Sequence, residues 1–485
     1  MDYGRPEYSP TSASHSSGTS GPPYETSTSH DSGSISPELG RHAGPASNPF
    51  TSQSQSTSHS SSAARHHQGV SRRYFHSRRV KKGEVEKPWT KQKEPREKWV
   101  TLIPLIGIVV GLAIAGFLIY DGLRTVVNHV YCPVLDEDFS NGLDTDIWYR
   151  EAEVGGFGNG QFEQTTNTDE NVFVEDGMMV IKPTLQDASL IEQNHVINLT
   201  ADGICSSDLI QNCVAVTNTT NGTIVPPVKS GRVSTRDSHS IRYGRVEVTA
   251  QLPSGDWLWP AIWMLPSDPQ YGEWPQSGEI DIVESRGNNH SYAQGGNNII
   301  SSALHWGPDL ANDAWWRTNV KRQALHTTYA SKFHTFGIEW SEKYLFTYID
   351  SRLLQVLYVN FDDQPLWQRG EFPPSNSNGT RLVDPWSHTG NYATPFDQDF
   401  YLIMNIAVGG TNGWFEDGMS SKPWADGSTS AALDFWQARD RWYPTWQQQQ
   451  GGGSPEGEQE GSGGGGAQMK IKRVKMWQQQ GYNGC

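Results

Sequence analysis

The sequence predicts an all-β sandwich behind one apolar helix and a disordered tail. Three observations carry this: a Ser/Thr-rich N-terminal region, one long uncharged run, and period-two hydrophobicity over most of the C-terminal two thirds. Residues 1–70 hold 25 Ser or Thr and only Ile35, Leu39, Phe50 and Val70 as large aliphatics or Phe. That is too little apolar surface to offset the entropy of ordering, so a disordered tail is expected there.

From Trp99 to Tyr120 the run WVTLIPLIGIVVGLAIAGFLIY carries no charge over 22 residues. At ~1.5 Å rise per residue it is long enough to cross a hydrocarbon core of ~30 Å. A cleaved signal would start near the N-terminus, whereas this run comes after 98 residues. Residues 71–98 hold 11 Lys or Arg and residues 121–140 only Arg124, which predicts a cytosolic N-terminus and a single-pass type II membrane protein. The expected organisation is a cytosolic tail over 1–98, a transmembrane helix over 99–120, a stalk over 121–134 and a β-sandwich over 135–485. The outer part then faces the exterior or a secretory lumen.

Charge narrows the partners. Residues 1–98 balance at +5 and residues 121–485 at −20, so the folded part repels phosphate backbones and nucleic acid is excluded as its ligand. Four cysteines, Cys132, Cys205, Cys213 and Cys485, suit an oxidising compartment. They allow three connectivities; a local Cys205–Cys213 bridge with Cys132–Cys485 tying the domain ends is preferred. Sequons stand at Asn198, Asn218, Asn221, Asn289 and Asn378, as on a glycoprotein surface.

Within the outer part, Val246, Val248, Ala250 and Leu252 alternate with Arg245, Glu247, Thr249 and Gln251, the pattern of a strand with one buried face. Further strands are expected at 299–306, 334–340, 344–350, 400–408 and 469–477, with Ser341 to Lys343 as a hairpin turn. Residues 185–230 read as a glycosylated excursion and 447–468 as a flexible low-complexity loop.

The segment WPQSGEIDIVESRG, Trp274 to Gly287, is the most informative. On a regular strand Glu279 and Asp281 share a face and Glu284 falls on the other. A β-bulge at Ile282 and Val283 returns Glu284 to the face of the first two. The two Glu backbones are then about 13 Å apart. Inward-leaning side chains bring the carboxyl groups to about 5 to 6 Å, the separation of retaining glycosidases. Glu279 is the expected nucleophile, Glu284 the general acid and base, and Asp281 a neighbour that adjusts both. The same spacing also suits a cation such as calcium. Aromatics favour the carbohydrate reading, because Trp257, Trp259, Trp263 and Trp274 cluster just upstream and sugar rings present apolar faces to indoles. No metal ligand set and no required cofactor is expected; a structural calcium stays open, with no sequence support.

These residues resemble glycoside hydrolase family 16, in particular its laminarinase and β-1,3-glucan-recognition branch. The resemblance runs from about Leu135 to Trp477. It includes GFGNGQFE (156–163), YGRVEVTAQLPSGDWLWPAIWML (243–265), WPQSGEIDIVESRGN (274–288), LHWGP (304–308), FHTFGIEWS (333–341), FYLIMNIAVGGTNGWFED (400–417) and IKRVKMW (471–477). It implies a concave β-jelly-roll, retaining endo-hydrolysis of β-1,3- or β-1,3/1,4-glucan, and sugar contacts at Asn159, Trp257, Trp274 and His305. Gln161 departs from the Glu that relatives often carry. Some relatives have lost the catalytic acids and only bind β-1,3-glucan; all three acids are present here. A Ser-rich tail on a type II protein also resembles fungal proteins of β-glucan assembly, where a sugar acceptor replaces water and the enzyme is a transglycosylase of the cell wall.

The charge asymmetry generates a topology test. Protease added to sealed microsomes is expected to remove residues 1–98 and spare a glycosylated outer domain. Protection of the tail, or no mobility shift on deglycosylation, contradicts it.

Overall fold

The computed structural model describes residues 77–91, 94–125, 129–447 and 466–485. Residues 1–70, expected to be disordered, lie outside these, as does most of the loop expected over 447–468. The chain divides into two compact units, one carrying the long helix and the other running from Asn128 to Cys485.

In the first unit the helix Glu97–Thr125 outruns the uncharged stretch at both ends. The helix continues past Tyr120 because Asp121 to Thr125 hold no Pro, and the single Gly122 costs only about 1 kcal/mol. Its stretch Glu97–Gly122 is long and apolar enough to cross a membrane. Pro104 stands within it.

The second unit is a sandwich of two antiparallel eight-stranded sheets. One sheet runs, from edge to edge, through Ser351–Asn360, Tyr344–Ile349, His334–Trp340, Gly244–Gln251, Met469–Gln479, Met178–Ile181 and Val172–Glu175, with Tyr131–Glu137 also paired to the 469–479 strand. The other runs through Asn319–Gln323, Ile299–His305, Glu279–Ser285, Leu258–Pro266, Phe400–Val408, Arg232–Ser234 and Tyr149–Arg150, with Ser240–Ile241 paired to the 400–408 strand. The stalk expected over 121–134 is corrected: its first part is helical, and its last residues already belong to the strand Tyr131–Glu137. Pairing with the C-terminal strand satisfies backbone groups that a free stalk would leave to water.

Alternation decides which face of each strand is buried. Val246, Val248 and Ala250 are fully buried and meet Ile338, Val474, Ile262, Met264, Ile280 and Met404 in one core between the sheets. Each such side chain contributes about 1.5–3 kcal/mol by leaving water. Both preferred disulfides form, Cys132–Cys485 across the domain ends and Cys205–Cys213 within the excursion. The excursion itself folds as a hairpin, His195–Asn198 against Val214–Thr217. Asn218, Asn221, Asn289 and Asn378 are exposed, while Asn198 is half-buried.

Two short helices, Ala431–Gln437 and Arg439–Gln447, interrupt the β pattern and bury Trp436, Trp442 and Trp446. Neither is long enough to show helical periodicity in the sequence. Glu163, in the strand Glu163–Thr165, is also buried, and its Oε2 accepts the Val408 N–H at 2.8 Å. Burial pushes its carboxyl up to about 8, against smaller opposing effects of that hydrogen bond and of Arg232. The unfolded carboxyl releases its proton near 4.5 and the folded one near 8, so the unfolded state binds fewer protons between these values and stability falls as pH rises across them. Glu163→Gln is therefore expected to lose less Tm than the parent between pH 5 and pH 8. An unchanged loss contradicts the buried neutral acid.

Candidate active site

The strand Glu279–Ser285 lies between Leu258–Pro266 and Ile299–His305. Asp281 pairs with Trp263 and Ala303, and Glu284 with Ala261 and Ser301. Between them the register shifts against both neighbours. Ile282 and Val283 together occupy the place of one residue, which is the bulge that the spacing of the acids requires. Ile280, Ile282 and Val283 all go into the core. The acids consequently project from the opposite face of the sheet.

Each acid has a fixed neighbour. The Trp274 indole donates to Glu279 Oε2 at 2.9 Å, and the Trp259 indole donates to Glu284 Oε1 at 2.9 Å. His305 sits opposite Glu279 in the register. Its Nε2 lies 3.2 Å from Asp281 Oδ2 and 3.9 Å from Glu279 Oε1. Its Nδ1 meets Asp313 Oδ2 at 2.5 Å, and the other oxygen of Asp313 accepts the backbone N–H groups of Trp306 and Trp315. Asp281 is 3% exposed at its side chain, so its charge is answered by protein groups and not by water.

Burial first, and the Asp281 charge second, push Glu279 well above the usual carboxylate range; His305 and the Trp274 N–H pull it back. Glu284 is pushed up to about 8, again by burial and then by Asp281. For His305, burial disfavours the charged ring, but Glu279, Asp281 and Asp313 outweigh it and hold the imidazole well above its ordinary value. Burial thus favours the protonated form of both glutamates, while the surrounding carboxylates favour the imidazolium form of His305 beside Asp281. Glu279, Asp281 and His305 offer ligand atoms within 4.8 Å of one another.

The sequence-predicted sugar contacts separate into groups. Trp274 and His305 join the carboxylates, with ring centroids 5.5 Å apart. Trp259 is buried: it stacks on Trp414 at 4.7 Å, and Arg286 covers that ring at 4.1 Å. Its visible role is to hold Glu284. Trp257 is a correction. It is only 4% exposed and packs edge-on against Tyr292, Phe415 and Trp424 in the core. It precedes the strand with φ of 68°, and this left-handed turn breaks the period-two relation expected to align it with Trp259 and Trp263. Trp263 is half-buried, donates to Asn405 Oδ1 at 2.8 Å and lies under the Arg232 guanidinium at 4.8 Å. Asn159 is tied to the 409–414 loop, its Oδ1 accepting from Asn412 Nδ2 at 3.1 Å.

Asp313, Trp315, Trp414 and Arg286 were not singled out by sequence. They lie in loops without periodicity, and only their spacing from His305 and Glu284 in an Asp- and Trp-rich stretch offered a signal. Asp313→Asn keeps an oxygen for the two backbone N–H groups but removes the charge on Nδ1. The His305 pKa is expected to fall, read from the ring Cε1–H resonance of the full chain; an unchanged titration contradicts the assigned contact.

Known proteins match over the same region. The family model described as glycosyl hydrolases family 16 matches residues 182–378. The β-1,3-glucan-binding protein of Penaeus monodon is 38% identical over 325 residues, which cover 65% of this chain and 84% of that protein. The glucan endo-1,3-β-glucosidase A1 of Niallia circulans is 30% identical over 288 residues, covering 57% of this chain and 33% of that protein. The catalytic domain of an endo-1,3-β-glucanase (laminarinase) from Thermotoga petrophila RKU-1 superposes with a TM-score of 0.43 at 21% identity, covering 73% of this chain and 100% of that one. On the family match and the extent of the shrimp relative, the chain belongs to glycosyl hydrolases family 16.

Proposed function

We propose that the chain is a retaining endo-β-glucanase acting on β-1,3- or β-1,3/1,4-glucan. The observation that carries this reading is the bulged strand, which sets Glu279 and Glu284 on one face of the sheet, with the Glu284 carboxyl pushed up to about 8. In the first half-reaction Glu284 gives its proton to the glycosidic oxygen as that bond to C1 breaks, and Glu279, as the carboxylate that His305 and the Trp274 N–H favour, forms an ester bond to C1. In the second, water loses a proton to Glu284 and its oxygen bonds C1 while the ester breaks. His305 offsets the charge of Glu279 as it leaves the ester, and Asp281, 3.2 Å from His305 Nε2, holds the imidazole in place. A sugar hydroxyl in place of water makes the same site a transglycosylase, which suits remodelling of wall glucan near the protein's own membrane.

The apolar helix Glu97–Gly122 and the basic residues before it support a type II anchor; both disulfides and the exposed sequons support an oxidising exterior or lumen. The shrimp relative, named for glucan binding, favours a second reading in which the cleft binds β-1,3-glucan without cleaving it. The acids separate the two. Glu279→Gln is expected to lower kcat on laminarin by about 10⁴-fold or more while leaving binding in place. In the parent, kcat/KM is expected to fall as pH rises through about 8, where Glu284 loses the proton it must donate. Binding without released oligosaccharide in the parent supports the second reading and contradicts the first.

A further inference from the structure

We infer that Trp315 is a stacking platform for a glucosyl ring, extending the cleft past His305. This rests on the glucan reading and adds to it a subsite beyond the residues that motif and spacing point to. Among the described residues of the β unit, four aromatic side chains are strongly exposed: Trp315, Trp316, Tyr358 and Tyr392. Trp315, 44% exposed, is the one of the four that stacks on His305, with ring centroids 6.2 Å apart and planes 27° apart.

Single exposed tryptophans are ordinary on protein surfaces. Trp315 differs in being fixed to the reacting centre at two points. Its backbone N–H is held by Asp313 Oδ1, whose partner oxygen holds His305 Nδ1. Its ring lies along the same imidazole that reaches Asp281 and Glu279 through Nε2. His305 thus has Trp274 against it at 5.5 Å and Trp315 at 6.2 Å, an aromatic row that begins at Glu279 and ends at a solvent-exposed indole. A rigid indole open to water beside buried carboxylates matches the flat C–H face of a neutral β-linked glucosyl residue. Trp316 plays a different part: Arg317 covers one face of its ring at 4.3 Å and is itself held by Glu371 at 2.7 Å, which braces the turn.

The test uses the full-length chain in detergent, carrying Glu279→Gln so that oligosaccharide survives, with laminarihexaose as the probe in calorimetry. Trp315→Ala is expected to raise Kd about tenfold, and Trp315→Tyr to stay within about threefold of the parent, since it keeps an aromatic face. The His305 titration is expected to be the same in all three, which separates stacking on sugar from disturbance of the imidazole. An unchanged Kd for Trp315→Ala, a Tyr variant as weak as the Ala variant, or a shifted His305 titration overturns the platform and leaves the glucan reading standing. A parent that binds no laminarihexaose overturns the glucan reading, and the platform with it.

Discussion

The site depends on where Ile280, Ile282 and Val283 go. All three are buried between the sheets, and the register shifts between Asp281 and Glu284 against both neighbouring strands, so Ile282 and Val283 take the place of one residue. Core packing therefore sets the direction of the acids. With Glu284 one position further along than simple alternation allows, only the bulge puts it on the face of Glu279 and Asp281. The hydrophobic gain of the core thereby holds three carboxylates together against their mutual repulsion, a local conflict of the kind folds retain at functional positions.

That repulsion is then managed by named groups. Two indoles each donate to one glutamate, and His305 places one positive charge beside Asp281. Asp313 continues the chain outward, tying the imidazole to the backbone at Trp306 and Trp315. Trp259 is in turn held by its stack on Trp414 and Arg286, so the orientation of Glu284 depends on the 409–414 loop as well as on its own strand. The site is a set of side chains held from behind by packing and hydrogen bonds.

Alternation made much of this legible. The strand Gly244–Gln251 buries the residues its period-two pattern selects, and the acidic strand bulges where the spacing of three acids on one face requires. Periodicity failed where the backbone left the strand conformation. Trp257 shares parity with Trp259 and Trp263, yet its positive φ turns it into the core; the Pro253-Ser254-Gly255-Asp256 run before it marks a turn, and counting parity through that turn misplaces the ring. Asp313 and Trp315 act through tertiary contact across a loop, which neither spacing nor composition encodes. The first strand was missed for a related reason: Tyr131–Glu137 is a strand because the distant residues Met469–Gln479 lie beside it.

The central claim is that the bulge makes Glu279 a nucleophile paired with Glu284. The most direct measurement is intact mass spectrometry of the full chain incubated with an activated 2-deoxy-2-fluoro-β-laminaribioside, whose fluorine slows release of a glycosyl ester. The predicted result is a mass gain of one fluorinated disaccharide unit, mapped by peptide digestion to Glu279. No adduct, or one carried by Glu284, would contradict it.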